Sequence, residues 1–191
     1  GPMARDIADT RLQFDVLAGP DQRDPYGQVP AFPAHRLTKG EKPRVALLMR
    51  AGNRLLDPEV EVAVTKAMRS AEALGMIVEP IELDFVALEP AFLVFSRSIL
   101  LARLGEHAKR TPEQLDPTLI ATIDAGRSYT AADFCEAQFA RTAYFNKLQD
   151  IFTRFDLIAS PTLSAPPLRL GYDVLGRIEI AGQDAGTIRG A

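Results

Sequence analysis

The chain has 191 residues, of which 47% are hydrophobic and 25% charged, with a formal net charge of -3. Those proportions suit a globular chain with a buried core and argue against wholesale disorder. The net charge argues against a nucleic-acid footprint. The single cysteine, Cys135, and the two histidines, His35 and His107, exclude a disulfide framework, a cysteine-rich zinc site and a histidine-rich metal site. No apolar run reaches the 18 residues of a membrane span, and no basic-then-apolar leader opens the sequence. The expectation is a cytoplasmic protein without metal, cofactor, membrane or nucleic-acid partner.

Residues 3–18 read as an amphipathic helix, with Asp6 and Asp9 in its first turns and Gly19-Pro20 as its stop. Residues 20–42 hold four prolines and read as an extended surface connection. Arg44-Val45-Ala46-Leu47-Leu48-Met49 is a short apolar run, as in a strand covered on both faces. Asp57-Pro58-Glu59 is a strong helix start, combining a cap, a proline where no N–H is needed, and an acid at the positive end of the dipole. Val60, Ala63, Val64, Ala67, Met68, Ala71 and Leu74 follow at helical spacing, and Gly75 ends the run. Met76 to Ile81 reads as the next strand. A strand, a helix and a strand joined this closely make a right-handed βαβ unit with parallel strands.

Residues 84–109 are mostly helix-forming, with Pro90 marking a start or a kink. Phe92, Phe95, Ile99, Leu100 and Leu104 trace one apolar face. Asp116-Pro117 opens a short helix over 117–126, and Thr130 with Asp133 opens a long one to about residue 153. On that helix Phe134, Ala137, Arg141, Tyr144 or Phe145, Leu148 and Phe152 share a face. Phe155 to Ala159 reads as a third buried strand, closed by Ser160-Pro161-Thr162. Residues 163–191 are rich in Gly and Pro, with one strand candidate, Arg177 to Ile180.

The residues form no complete catalytic constellation by themselves. Cys135, inside a helix near Phe134 and Phe139, reads as a buried structural thiol. His35 and His107 read as surface or cap residues. Ala51-Gly52-Asn53-Arg54 reads as a plain turn that could also hold a small anion. Ser96 and Ser98 lack any predicted base. No glycine-rich phosphate loop or nucleophile elbow is found.

Several segments taken in order resemble the amidase signature family, serine hydrolases that cleave carboxamide C–N bonds. They are Gly1-Pro2-Met3-Ala4-Arg5, Asp9, Leu17-Ala18-Gly19-Pro20-Asp21 with Arg23-Asp24-Pro25, Arg44-Val45-Ala46, Asp57-Pro58-Glu59-Val60, Leu74-Gly75, Tyr129 to Asp133, Arg141, and Phe155 to Thr162. The resemblance implies an α/β fold: part of a mixed-sheet α/β/α architecture containing the βαβ unit and several long helices. It implies that residues 1–191 form a single partial domain of a larger amidase domain. The resemblance implies that the family's catalytic Lys, its cis-peptide Ser and its nucleophilic Ser, the last in a Gly/Ser-rich stretch, all belong to a segment before the one matching Gly1. No catalytic residue is therefore carried over to this chain.

The chain is expected to supply scaffold and pocket wall for a small-molecule amide substrate. Ligands bind outside the carboxyl ends of strands in open α/β sheets. Ser160, Pro161 and Thr162 stand at such an end and are the candidate substrate-binding residues. For Tyr144, Phe145 and the Phe92/Phe95 face, core packing is the expectation over acyl-pocket lining. Strand edges left open by missing neighbours predict self-association. The competing reading is a non-catalytic α/β binding module or a complementing partner chain.

Overall fold

The computed structural model describes residues 1–24, 42–172 and 176–187. The chain divides into two compact units, Gly1–Glu41 and Lys42–Ala191. In the first, α1 spans Ile7–Leu17. It starts later than the sequence suggests because Asp6 is its cap, its side chain accepting the Asp9 N–H at 2.9 Å. No residue of α1 is buried. Most of the expected extended connection, with His35, lies outside the described residues.

The second unit is built on a parallel sheet. β1 (Arg44–Leu47), α2 (Pro58–Ala73) and β2 (Ile77–Pro80) form the expected parallel βαβ arrangement, in register from Arg44 opposite Ile77 to Leu47 opposite Pro80. The Asp57 side chain accepts the Glu59 N–H at 2.8 Å, with Pro58 in the first turn. Gly75 turns the chain at φ +95°, a conformation glycine adopts without a Cβ penalty. Asp57→Ala should cost about 1 kcal/mol, the usual worth of a helix N-cap, read as a lowered melting temperature.

β3 (Leu157–Ala159) pairs with the other side of β1, giving the order β2-β1-β3. Only the central strand is covered as expected. Val45 and Ala46 are buried, whereas Leu157 on β3 is 45% exposed. β3 is therefore an edge strand rather than the buried strand its apolar sequence suggests. Pro80 is tolerated because β2 is the opposite edge.

Three helices follow β2 in sequence: α3 (Glu89–Arg110), α4 (Pro117–Ala125) and α5 (Ala131–Phe152). A single 3₁₀ turn, Val86–Leu88, precedes α3, so Pro90 falls in the first turn and starts the helix without kinking it. Asp116 caps α4 through the Thr118 N–H. Thr130 and Asp133 form a reciprocal capping box on α5.

One core joins Ala46, Ile151 and Phe155, fastening α5 to the sheet; a second joins Ala91, Val94 and Ala137, where small side chains let α3 and α5 approach. Phe95 meets Phe134 edge-on at 5.1 Å. The apolar faces differ in detail from their periodic reading. On α5 the buried positions are Ala137, Tyr144 and Ile151, seven residues apart, while Phe145 and Phe152 are exposed. On α3 the buried residues are Ala91, Val94 and Gly105, while Phe92 and Ile99 are exposed. The close helix contacts take small residues and displace large rings to the flanks. Cys135 is exposed, not a buried thiol, because it lies two residues from Ala137 and points off the packed face.

β4 (Arg177–Ile180) and β5 (Gln183–Thr187) form an antiparallel hairpin turned by Ala181 and Gly182, both at positive φ. Ile178 and Ile180 are buried and alternate with exposed neighbours. Among the described residues no helix is long and apolar enough to cross a membrane.

Candidate active site

The carboxyl ends of β1, β2 and β3 are tied together by backbone bonds. The Leu48 N–H donates to the Ala159 carbonyl at 2.8 Å, and the Ile81 N–H donates to the Leu47 carbonyl at 2.9 Å. Beyond them the chain after β1 reverses. The Asn53 N–H donates to the Arg50 carbonyl at 2.8 Å, with Ala51 at φ +52° and Gly52 at φ +89°.

This turn is locked to the segment after β2. The Phe85 N–H donates to the Ala51 carbonyl at 2.9 Å, and Asp84 lies directly against Gly52. The Asp84 carboxylate accepts the Ala87 N–H at 3.1 Å and so starts the short 3₁₀ turn. The turn expected at Ala51 to Arg54 is thus present, and it is a junction between two loops.

Two clefts open at this junction and share Ala51 and Asn53. The larger, about 550 Å³, is lined mainly by apolar side chains, among them Phe85, Leu88, Phe92 and Leu93, with Ser96 and Glu89 as polar points. The smaller, about 100 Å³, is lined by Arg50, Leu56, Pro161, Thr162 and Ser164. Pro161 and Thr162 therefore stand on a cleft wall, while Ser160 is exposed and lines neither cleft. Ser164 is buried, and its carbonyl accepts the Asp57 N–H at 2.8 Å, which fixes this wall to the start of α2.

Tyr144 packs against Phe85, a wall residue of the larger cleft. Its ring lies 4.9 Å from that of Phe85. Its hydroxyl is buried and has no hydrogen-bond partner among the described residues. Burial, with the nearby negative charge of Asp84, pushes the phenol up to about 12, so it stays neutral at physiological pH.

On the other side the hairpin reaches the junction through arginines. Arg54 Nη2 donates to the Asp184 carbonyl at 2.8 Å, and Arg50 Nη1 donates to the Arg54 carbonyl at 3.1 Å. Arg177 Nε holds the Asp184 carboxylate at 2.9 Å. The Arg177 hydrogen bond, together with the Gly186 N–H, keeps the Asp184 carboxyl below its ordinary value of 3.8. A depressed carboxylate stabilises the fold above its unfolded pKa and loses that contribution as pH falls through the folded value. The hairpin should accordingly hold its ion pair at every pH above about 4 and loosen only below that. Titrating the Asp184 carboxyl by NMR checks this, and Arg177→Ala should return it toward the ordinary range.

Arg50 and Phe85 were given no role by the sequence pattern, Asn53 stood there only in a turn that could hold a small anion, and Phe92 only on a face favoured as core. The rule that singled out the loop after β3 applies equally to the loops after β1 and β2, and that signal would have found the first three. Phe92, expected in the core, lines the larger cleft. His107 sits in the last turn of α3 beside Thr111, in keeping with a cap role. Among the described residues no group of three or more His, Cys, Asp or Glu could hold a metal.

The amidase family model matches residues 1–182. An amidase of Pseudomonas putida is 29% identical over 192 residues, covering 91% of this chain and 38% of that protein. A glutamyl-tRNA(Gln) amidotransferase subunit of Chromohalobacter salexigens is 28% identical, covering 90% of this chain and 41% of its own length. The chain thus spans about two fifths of these relatives. Among solved structures, a bacterial aryl acylamidase of the amidase signature enzymes superposes with a TM-score of 0.64 at 22% identity. That match covers 78% of this chain and 33% of that one, and it shows a shared fold.

Proposed function

As the chain belongs to the amidase family, we propose that it forms the scaffold and one wall of the substrate cleft in a hydrolase that cleaves carboxamide C–N bonds by serine acyl transfer. The observation that carries this reading is the apolar cleft at the carboxyl ends of the strands, walled by Phe85, Leu88 and Phe92 and edged by Asn53 and Ser96. Such a site suits the apolar part of a small amide, with a few polar groups to orient it. Pro161 and Thr162 add to the wall through the smaller cleft.

In this reading the nucleophilic serine and its Ser–Lys relay belong to a segment before the residue matching Gly1. The serine attacks the amide carbonyl, the amine leaves with a proton, and water releases the acid. The site acts in the cytoplasm on a small molecule and involves no nucleic acid.

Two measurements on the purified chain test this. Titration with benzamide should shift NMR signals of Ala51, Phe85, Phe92 and Ser96; shifts scattered elsewhere would remove the cleft from the proposal. Incubation with a serine-directed fluorophosphonate and an anilide substrate should give neither label nor turnover, and robust turnover would put the nucleophile inside these 191 residues. The same reading predicts that the isolated chain self-associates, since Phe139, Phe145 and Phe152 on α5 and Leu157 on the β3 edge are exposed. Light scattering should find dimers or larger species, and a monodisperse monomer would contradict it.

A further inference from the structure

The two clefts are unlike in charge as well as size. The larger carries Glu89 among apolar walls, and the smaller carries Arg50. Arg50 is held in place by its bond to the Arg54 carbonyl, which uses one of the five N–H donors of a guanidinium. Among the described residues, neither Arg50 nor Arg54 forms an ion pair with a carboxylate.

The acids around the junction have other partners. Asp184 is held by Arg177, Asp57 caps α2, and Asp84 accepts the Ala87 N–H against Gly52. Glu89 faces the larger cleft and disfavours an anion there. A small, polar cleft with an anchored and unneutralised guanidinium therefore adjoins an apolar one, and the two meet at Ala51 and Asn53.

From this we infer that Arg50 is a specificity-determining residue that selects amides carrying a carboxylate near the amide group. The apolar part of the ligand enters the larger cleft and the carboxylate enters the smaller one. The inference rests on the substrate-cleft reading given above and adds the charge of the substrate to it.

The test compares two ligands that differ only in charge, N-benzoylglycine and its neutral primary amide, titrated into the chain and followed by NMR. N-benzoylglycine should bind about five- to tenfold more tightly, the range of one charge-assisted contact at a wet site. Arg50→Gln should erase that preference and unfold at the wild-type temperature. If the variant fails to fold, the wild-type preference must still shrink as salt rises, because screening weakens an exposed charge contact.

Equal affinities in the wild type would overturn the inference alone, since the neutral amide would still occupy the cleft. So would a preference that survives Arg50→Gln or depends on Arg54 instead. Failure of both ligands to bind would overturn it together with the substrate-cleft reading.

Discussion

Truncating Leu48 to alanine should lower stability by about 3–4 kcal/mol, the usual cost of emptying a fully buried leucine site. Leu48 is 1% exposed and follows the last paired residue of β1. Its N–H bridges to Ala159, so the backbone at this point is held from both sides and cannot collapse into the void. A small domain holds about 5–15 kcal/mol in total, so this one side chain accounts for a large share. Urea unfolding should show a lower midpoint at unchanged slope. Leu157→Ala, on the exposed edge strand, is the control and should cost far less. A loss below about 1 kcal/mol at Leu48 would mean that the sheet end is looser than its bonds imply.

Gly52→Ala should cost about 2–4 kcal/mol, from two separable sources. The first is conformational: φ is +89°, outside what an L-residue adopts comfortably. The second is steric: an added Cβ would lie 2.1 Å from Asp84 Oδ1 and 3.0 Å from its Cα. The carboxylate can rotate away, but the backbone carbon cannot. Combining Gly52→Ala with Asp84→Ala should recover the part due to the carboxylate and none of the conformational part. A double-mutant cycle reads the difference. Binding of a neutral aryl amide should fall as well, because the displaced Asp84 segment carries Phe85 with it. A variant as stable as the wild type would show that the junction yields freely.

The elements with strong local chemistry were legible in the sequence. Asp57-Pro58, Asp116-Pro117 and the Thr130/Asp133 pair each cap a helix where their residue types require it. The parallel βαβ arrangement followed from the apolar runs around α2. What the sequence concealed depends on partners far along the chain. Tyr144 and Phe145 are adjacent aromatic residues, and only the position of α5 over the sheet decides that Tyr144 is buried and Phe145 exposed.

β5, Gln183–Thr187, has almost no strand-forming side chains and exists because β4 pairs with it. Of the site, the Pro161-Thr162 wall could be placed by the strand-end rule. Arg50 and Asn53 could not be assigned a shared cleft, because the left-handed backbone at Ala51 that turns them is unusual for alanine. Phe92 read as core because apolar periodicity does not distinguish a cavity wall from a packed interior.

The strand order has a consequence for how the chain is made. β2 follows β1 closely and can join it as soon as α2 has formed, whereas Asp156, which receives the Arg44 N–H, is 112 positions away. Closing the longer loop costs only about 1 kcal/mol more, so the final fold is scarcely penalised. Time is affected more than energy. At about 5–20 residues per second, β3 leaves the ribosome about 4–15 s after β2. For that interval one side of the central strand stands open beside a finished βαβ unit, and the intervening helices must be synthesised before it is closed. A nascent chain of this kind presents the flank of its buried central strand during synthesis, which is when a chaperone would find it.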